Sequence, residues 1–234
     1  MRHHNKFNPV WNSFIAFLVL AALLSVAPAK SQSAADSKAV PFNEVLKLGD
    51  AAPAWQDLPG IDGQTHSLAD LAETPVVVVL FTCNTCDTAR DYEDRIIAFH
   101  KTHCQAAAGA QPRVRLVAIN VNKGPDDSLE KMKVRAAARG FAFPYLFDAS
   151  QKISQRYGAL TTPEFYVLDK ERRVIYLGAM DDKTEPQLAK ENYLRAAVDP
   201  VLAGKAPAKS SEPPRGCRIK YKTERELKAE QKQK

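Results

Sequence analysis

Apolar positions along this chain alternate between two spacings. Residues 76–81 are six consecutive apolar side chains, four of them β-branched. A run so short, with no polar alternation, predicts a strand covered on both faces near the centre of a sheet. Ala89, Tyr92, Ile96 and Phe99 then recur every three or four residues, the spacing of one buried helical stripe. The alternation repeats. Residues 114–121 predict a second buried strand, and Asp127 and Glu130 have capping-box spacing before a helix that stops near Arg139 at Gly140. A strand at 145–147 follows, with Asp148 placed to cap a short helix reaching Tyr157. Residues 164–168 and 173–177 predict a hairpin about the Lys170-Glu171 turn. Leu188, Tyr193, Leu194 and Val198 mark a closing helix over roughly 185–202. Upstream, residues 48–55, a Gly60/Gly63 turn and residues 68–71 read as a β-hairpin leading to a helical turn. The expected fold class is α/β, a sandwich whose central mixed sheet is flanked by helices and extended by an N-terminal hairpin.

The two ends differ from this body. Arg2 and Lys6 precede an apolar run over 14–26 and then Ala27-Pro28-Ala29. A basic segment, a short apolar core and a small-x-small site predict a secretory signal over 1–29 and an exported, periplasmic or secreted product. The alternative is a tether, although a full span needs roughly 20 apolar residues. Residues 30–44 are the expected flexible lead-in and 45–203 the folded domain. Residues 204–234 are rich in Pro, Ser and Lys, which predicts a basic, largely unstructured tail. The net charge of +6 resides there: ten Lys/Arg against four Glu lie beyond residue 204. A neutral body with no nucleic-acid motif excludes DNA or RNA as the expected partner. The tail leaves open a weak attraction to anionic membrane surfaces.

Four cysteines are too few for a disulfide scaffold, so their use is chemical or local. Cys83-Asn84-Thr85-Cys86 falls between the end of the first buried strand and the start of the helix. That spacing places two sulfurs on one helical turn, close enough to bond. The helix N-terminus offers free N–H groups and partial positive charge, which favour thiolate. Cys83, nearer the loop, is the expected exposed nucleophile and Cys86 the resolving thiol of a redox-active disulfide. A zinc site would need two more ligands, and no second CxxC or His-x-x-x-His occurs. His100 and His103 stand at the far end of the same helix, about 20 Å away. No metal or cofactor is expected.

Thr162-Pro163 opens a strand 77 residues after Cys86. A cis proline there would bring its backbone beside the sulfurs, and Thr162 could offer N–H and C=O groups to a substrate backbone. The plain reading is a trans proline at a strand start.

The order of these elements over residues 45–203 resembles the thioredoxin superfamily. Phe81-Thr82-Cys83-Asn84-Thr85-Cys86, Tyr92-Glu93-Asp94-Arg95, Val117-Ala118-Ile119-Asn120-Val121-Asn122 and Gly216-Cys217-Arg218-Ile219-Lys220 resemble its bacterial redoxin, or peroxiredoxin-like (AhpC/TSA-like), branch. The resemblance implies a thioredoxin-like sandwich, thiol redox activity, a cis Pro163, substrate contact at Thr162 and Pro163, and protein partners that bring disulfides or dithiols. It also implies departures. Members of the branch usually place Pro after the second cysteine, where this chain has Asp87, a carboxylate expected to oppose thiolate formation. The strand around Val77 supplies no buried acid of the thioredoxin kind. Peroxiredoxins place Thr three and Pro seven residues before the peroxidatic cysteine; here those positions are Leu80 and Val76, or Cys83 and Val79. A thiol peroxidase is therefore the alternative activity, and a binding module with a structural disulfide is the non-enzymatic one. A copper site would need a histidine after His103, and none occurs. Cys104 and Cys217 have three readings: buried apolar Cys104, a Cys104–Cys217 staple, or Cys217 as a third redox thiol.

Overall fold

The computed structural model describes residues 42–106 and 108–231. The signal and most of the lead-in expected from the sequence lie outside the described residues. In chain order the elements are β1 (Leu58–Pro59), β2 (Thr65–His66), β3 (Val76–Thr82), α1 (Asp87–His103), β4 (Val114–Asn120), α2 (Leu129–Arg139) and β5 (Tyr145–Phe147). There follow α3 (Lys152–Tyr157), β6 (Thr161–Thr162), β7 (Glu164–Leu168), β8 (Val174–Gly178), α4 (Tyr193–Leu202), β9 (Ser211–Glu212), β10 (Cys217–Arg218) and α5 (Glu224–Gln231).

β1 and β2 form a hairpin around the expected Gly60/Gly63 turn, with its first arm at Leu58–Pro59 rather than over residues 48–55, and a 3-10 turn at Leu68–Leu71 follows. The main sheet has the order β5-β4-β3-β7-β8-β9. β3 is parallel to β4, and β4 to β5, while β7 runs antiparallel to both β3 and β8. All of β3 is buried, because successive side chains enter two separate cores. Val76, Val78 and Leu80 pack with Tyr92, Ile96 and Phe99 of α1, Met132 of α2 and Leu194 and Val198 of α4. Val77, Val79 and Phe81 face Trp55, Ile153 and Tyr157 on the other side. The chain is thus a mixed sheet between helical layers, and the end of its central strand is where Cys83 begins.

Three expectations are corrected. The closing helix starts at Tyr193 rather than near 185, because the Asn192 side chain accepts the Arg195 N–H and caps it. Leu188 instead lies exposed in a separate 3-10 turn. Helix α2 is capped by Ser128, which accepts the Lys131 N–H, and Asp127 is left for another task.

The third correction concerns the tail. Charge and prolines predict an unstructured end, yet residues 211–221 are laid against the domain. β9 extends the sheet beside β8, and β10 pairs antiparallel with β6. Ile219 is buried in the second core and its N–H donates to Leu160 O at 3.0 Å. The Tyr221 hydroxyl donates to Ala159 O at 2.6 Å, and Gln151 bridges Lys220 O and the Lys222 N–H. Backbone pairing plus one apolar anchor holds this segment, and neither leaves a mark in composition. Among the described residues no helix is long and apolar enough to cross a membrane.

Candidate active site

Three chain segments meet at the C-terminal end of β3. The first is the loop 83–86. Cys86 is the N-cap of α1, and its sulfur accepts the Ala89 N–H at 3.3 Å, one of the donors a helix start leaves free. The second is the Thr162-Pro163 peptide, which is cis. It brings the Thr162 hydroxyl to 3.4 Å from Cys83 Sγ and its carbonyl to 3.0 Å from Cys86 Sγ, whose S–H donates to it. The third is the tail, whose Cys217 sits opposite Thr162 in the β10–β6 pair. All four residues singled out from the sequence, Cys83, Cys86, Thr162 and Pro163, therefore lie together.

The expected exposure of Cys83 is not found. Cys83 is 3% exposed and Cys86 1%, whereas Cys217 is open to solvent. The loop explains the burial of Cys83. The Asn84 N–H and the Thr85 hydroxyl each donate to the Asp127 carboxylate at 2.7 Å. The Asn84 amide donates to Asp126 O at 2.8 Å and accepts from the Tyr145 hydroxyl at 3.0 Å. The loop is fastened at both central residues, and Cys83 lines a small pocket with Leu80, Glu93, Ile96, Phe141 and Tyr145.

Asp127 is the residue that sequence reasoning missed. It is 1% exposed and also accepts the Asn120 amide at 3.1 Å. The Asp127-to-Glu130 spacing suggested a helix cap, and only the fold shows the carboxylate turned toward the loop. Asp87, the carboxylate the sequence made suspect, points to solvent with a 91% exposed side chain beside Arg90 at 3.4 Å. The acid that bears on the sulfurs is Asp127.

The two thiols act on each other's titration. Cys83 is pushed well above the usual thiol range, first by its interaction with Cys86, then by burial, with the Asp127 charge adding to both. Cys86 is lowered, chiefly by Cys83 and further by the Ala89 N–H that its sulfur accepts. Two neighbouring thiols at a helix N-terminus, Cys86 the easier to ionise, form a pair able to break and remake one S–S bond.

Cys104 takes no part. It lies buried at the C-terminal end of α1, and burial pushes its thiol up to about 12. Seventeen helical residues separate it from Cys86, about 25 Å. The Cys104–Cys217 staple is thereby excluded, and Cys104 behaves as an apolar residue. Among the described residues no group of three or more His, Cys, Asp or Glu could hold a metal ion.

Glu164 anchors the cis peptide from below. It is fully buried at the start of β7, accepts the N–H groups of Leu160 and Thr161 at 3.0 and 3.2 Å, and takes the Tyr166 hydroxyl at 2.6 Å. Burial outweighs these bonds and raises its pKa from the ordinary 4.5. A carboxyl that is harder to ionise when folded lends its stability below pH 4.5 and loses it as pH rises through the raised value. Glu164→Gln removes that loss, so the melting temperature of the wild type relative to the variant should fall between pH 4.5 and 7. Parallel melting curves across this range would contradict the assignment.

The AhpC/TSA family profile matches residues 48–177, from the segment before β1 into β8, and so takes in the whole loop 83–86 and the cis peptide. The chain belongs to the AhpC/TSA family. Two solved structures extend the likeness. An uncharacterized conserved protein from Geobacillus kaustophilus is 31% identical, with a TM-score of 0.69 over 77% of this chain and 95% of that one. A hypothetical protein from Sinorhizobium meliloti is 35% identical, with a TM-score of 0.68 over 77% of this chain and 98% of that one. No curated protein matches the chain. Within this family the thioredoxin-like sandwich and its redoxin character are as the sequence motifs implied.

Proposed function

We propose that this AhpC/TSA-family protein is an exported thiol–disulfide oxidoreductase that exchanges the Cys83/Cys86 pair with protein substrates. The observation that carries this reading is the placement of both sulfurs against the cis Thr162-Pro163 peptide at the start of α1, Cys83 Sγ 3.4 Å from the Thr162 hydroxyl and Cys86 Sγ 3.0 Å from its carbonyl. In the reducing direction, a thiolate of the pair attacks a substrate disulfide and the substrate's leaving sulfur departs with the electron pair. The second thiol, on losing its proton, attacks the resulting mixed disulfide. The Cys83–Cys86 bond forms, and the substrate leaves as a dithiol, reduced by the two electrons the pair has given up. No cofactor is needed for this cycle. An upstream redox partner resets the pair, and export places both partners outside the cytoplasm, where disulfides persist. Reduction of insulin disulfides by the reduced protein, monitored by turbidity, tests the activity; the oxidised Cys83–Cys86 peptide should appear in step with it.

Family membership favours a second reading, a thiol peroxidase. The positions that would activate a peroxide hold Val76 and Leu80 in one frame and Val79 and Cys83 in the other, all buried and none bearing a hydroxyl. Hydrogen peroxide consumption is expected to stay below about 10⁴ M⁻¹s⁻¹, the lower end of usual enzyme efficiencies. A faster rate, lost in Cys86→Ser, would assign the protein to peroxide chemistry instead.

A further inference from the structure

The two sulfurs of the CxxC pair are buried, and the sulfur next to them that solvent can reach is Cys217. This placement is built. Arg215 donates to Asp181 O at 3.0 Å on one side of Cys217, and Ile219 is sunk in the core on the other. Between these anchors the chain pairs Cys217 with Thr162 and Arg218 with Thr161. Gly216 makes the approach feasible, because a Cβ there would collide with the Thr162 carbonyl oxygen. That register sets β10 beside the start of α1, where Cys217 and Cys86 act on each other's titration. An extended segment added antiparallel to an exposed strand edge is how peptides are commonly bound. Here the protein's own tail occupies the edge expected to receive substrate.

We propose that Cys217 is a third redox thiol, the relay through which the buried Cys83/Cys86 pair exchanges disulfides with external partners. The inference rests on the oxidoreductase reading and specifies how substrate enters. In the reducing direction, the Cys217 thiol gives up its proton and attacks a partner disulfide, forming a mixed disulfide and releasing one partner sulfur with its electron pair, which takes up a proton. Cys86, ionised, attacks Cys217 Sγ; the Cys86–Cys217 bond forms and the second partner sulfur leaves. Cys83, giving up its proton, then attacks Cys86 Sγ, the Cys83–Cys86 bond forms, and Cys217 departs and regains its proton. The partner has gained two electrons, the pair has lost them, and Cys217 ends as it began.

The test uses the full chain. Cys83→Ser halts the relay at its middle step. One equivalent of a dithiodipyridine oxidant at low protein concentration should convert most molecules to an intramolecular Cys86–Cys217 disulfide, mapped by non-reducing digestion and mass spectrometry. Adding Gly216→Ala, which moves the tail and removes no thiol, should lower that yield several-fold. In the otherwise wild-type protein, Cys217→Ser should slow insulin reduction at least tenfold while Cys83–Cys86 still oxidises. Should Cys83→Ser fail to fold, rapid alkylation of the wild type during turnover must trap the same Cys86–Cys217 bond. Cys86 bonded only between molecules, or full insulin reduction by Cys217→Ser, would overturn the relay and leave the oxidoreductase reading intact. Inactive wild-type protein that still forms Cys86–Cys217 would overturn that reading instead.

Discussion

Cys83→Ser and Cys86→Ser should each lower disulfide reduction by at least about 10³-fold, the scale on which removing a reacting nucleophile acts. The two variants should fail differently. Cys86→Ser removes the more acidic sulfur and the acceptor of the Ala89 N–H in one step. It should form no mixed disulfide from the CxxC pair. Cys83→Ser keeps the more acidic sulfur and loses only the thiol that closes the cycle, so covalent intermediates should accumulate. Its Cys86 also loses the strongest influence lowering its pKa, the Cys83 thiol. A serine hydroxyl replaces that thiol in part, so Cys86 should titrate at a higher pH than in the wild type. Thiolate absorbance against pH, together with mass spectrometry of trapped species, checks both points. Equal loss with no trapped species in either variant would contradict the division of roles.

Asp127→Asn should show the largest effect among residues outside the sulfur pair, and on two independent readouts. The carboxylate accepts from the Asn84 backbone, the Thr85 hydroxyl and the Asn120 amide while almost fully buried. An asparagine keeps one acceptor oxygen and brings two N–H groups to a site already filled with donors. At least one buried donor is left without a partner, at a cost of about 1–3 kcal/mol, read by urea unfolding. The second readout is electrostatic. The Asp127 charge raises the Cys83 pKa, so its removal should lower that pKa. A purely structural role would weaken folding and leave the titration of Cys83 where it was.

Much of this was legible in the sequence, and the residues that were not share a cause. Six apolar residues ending at a CxxC announce a central strand, because only burial on both faces explains such a run beside a reactive loop. The helix stripe from Ala89 to Phe99 and the stop at Gly140 follow from spacing and left-handed backbone alone. Thr162-Pro163 was located by its place before a strand, and the fold brings it to the sulfurs. Asp127 was invisible, since its partners Asn84 and Thr85 lie 43 and 42 positions away and no periodicity joins them. Asp87 drew attention by adjacency, but a first-turn side chain at a helix start is free to face water, as this one does. The tail misled for a related reason. Its prolines and charges describe a solvated chain, whereas Gly216 and Ile219 are the two positions that let it dock.

The reduction potential of the Cys83/Cys86 pair tests the central claim most directly, measured by equilibration with glutathione or dithiothreitol and quantified by alkylation. A working exchange pair should lie between about −120 and −270 mV, the range of known thiol–disulfide oxidoreductases. A value below about −300 mV, with no insulin reduction, would mark a structural disulfide and contradict the account.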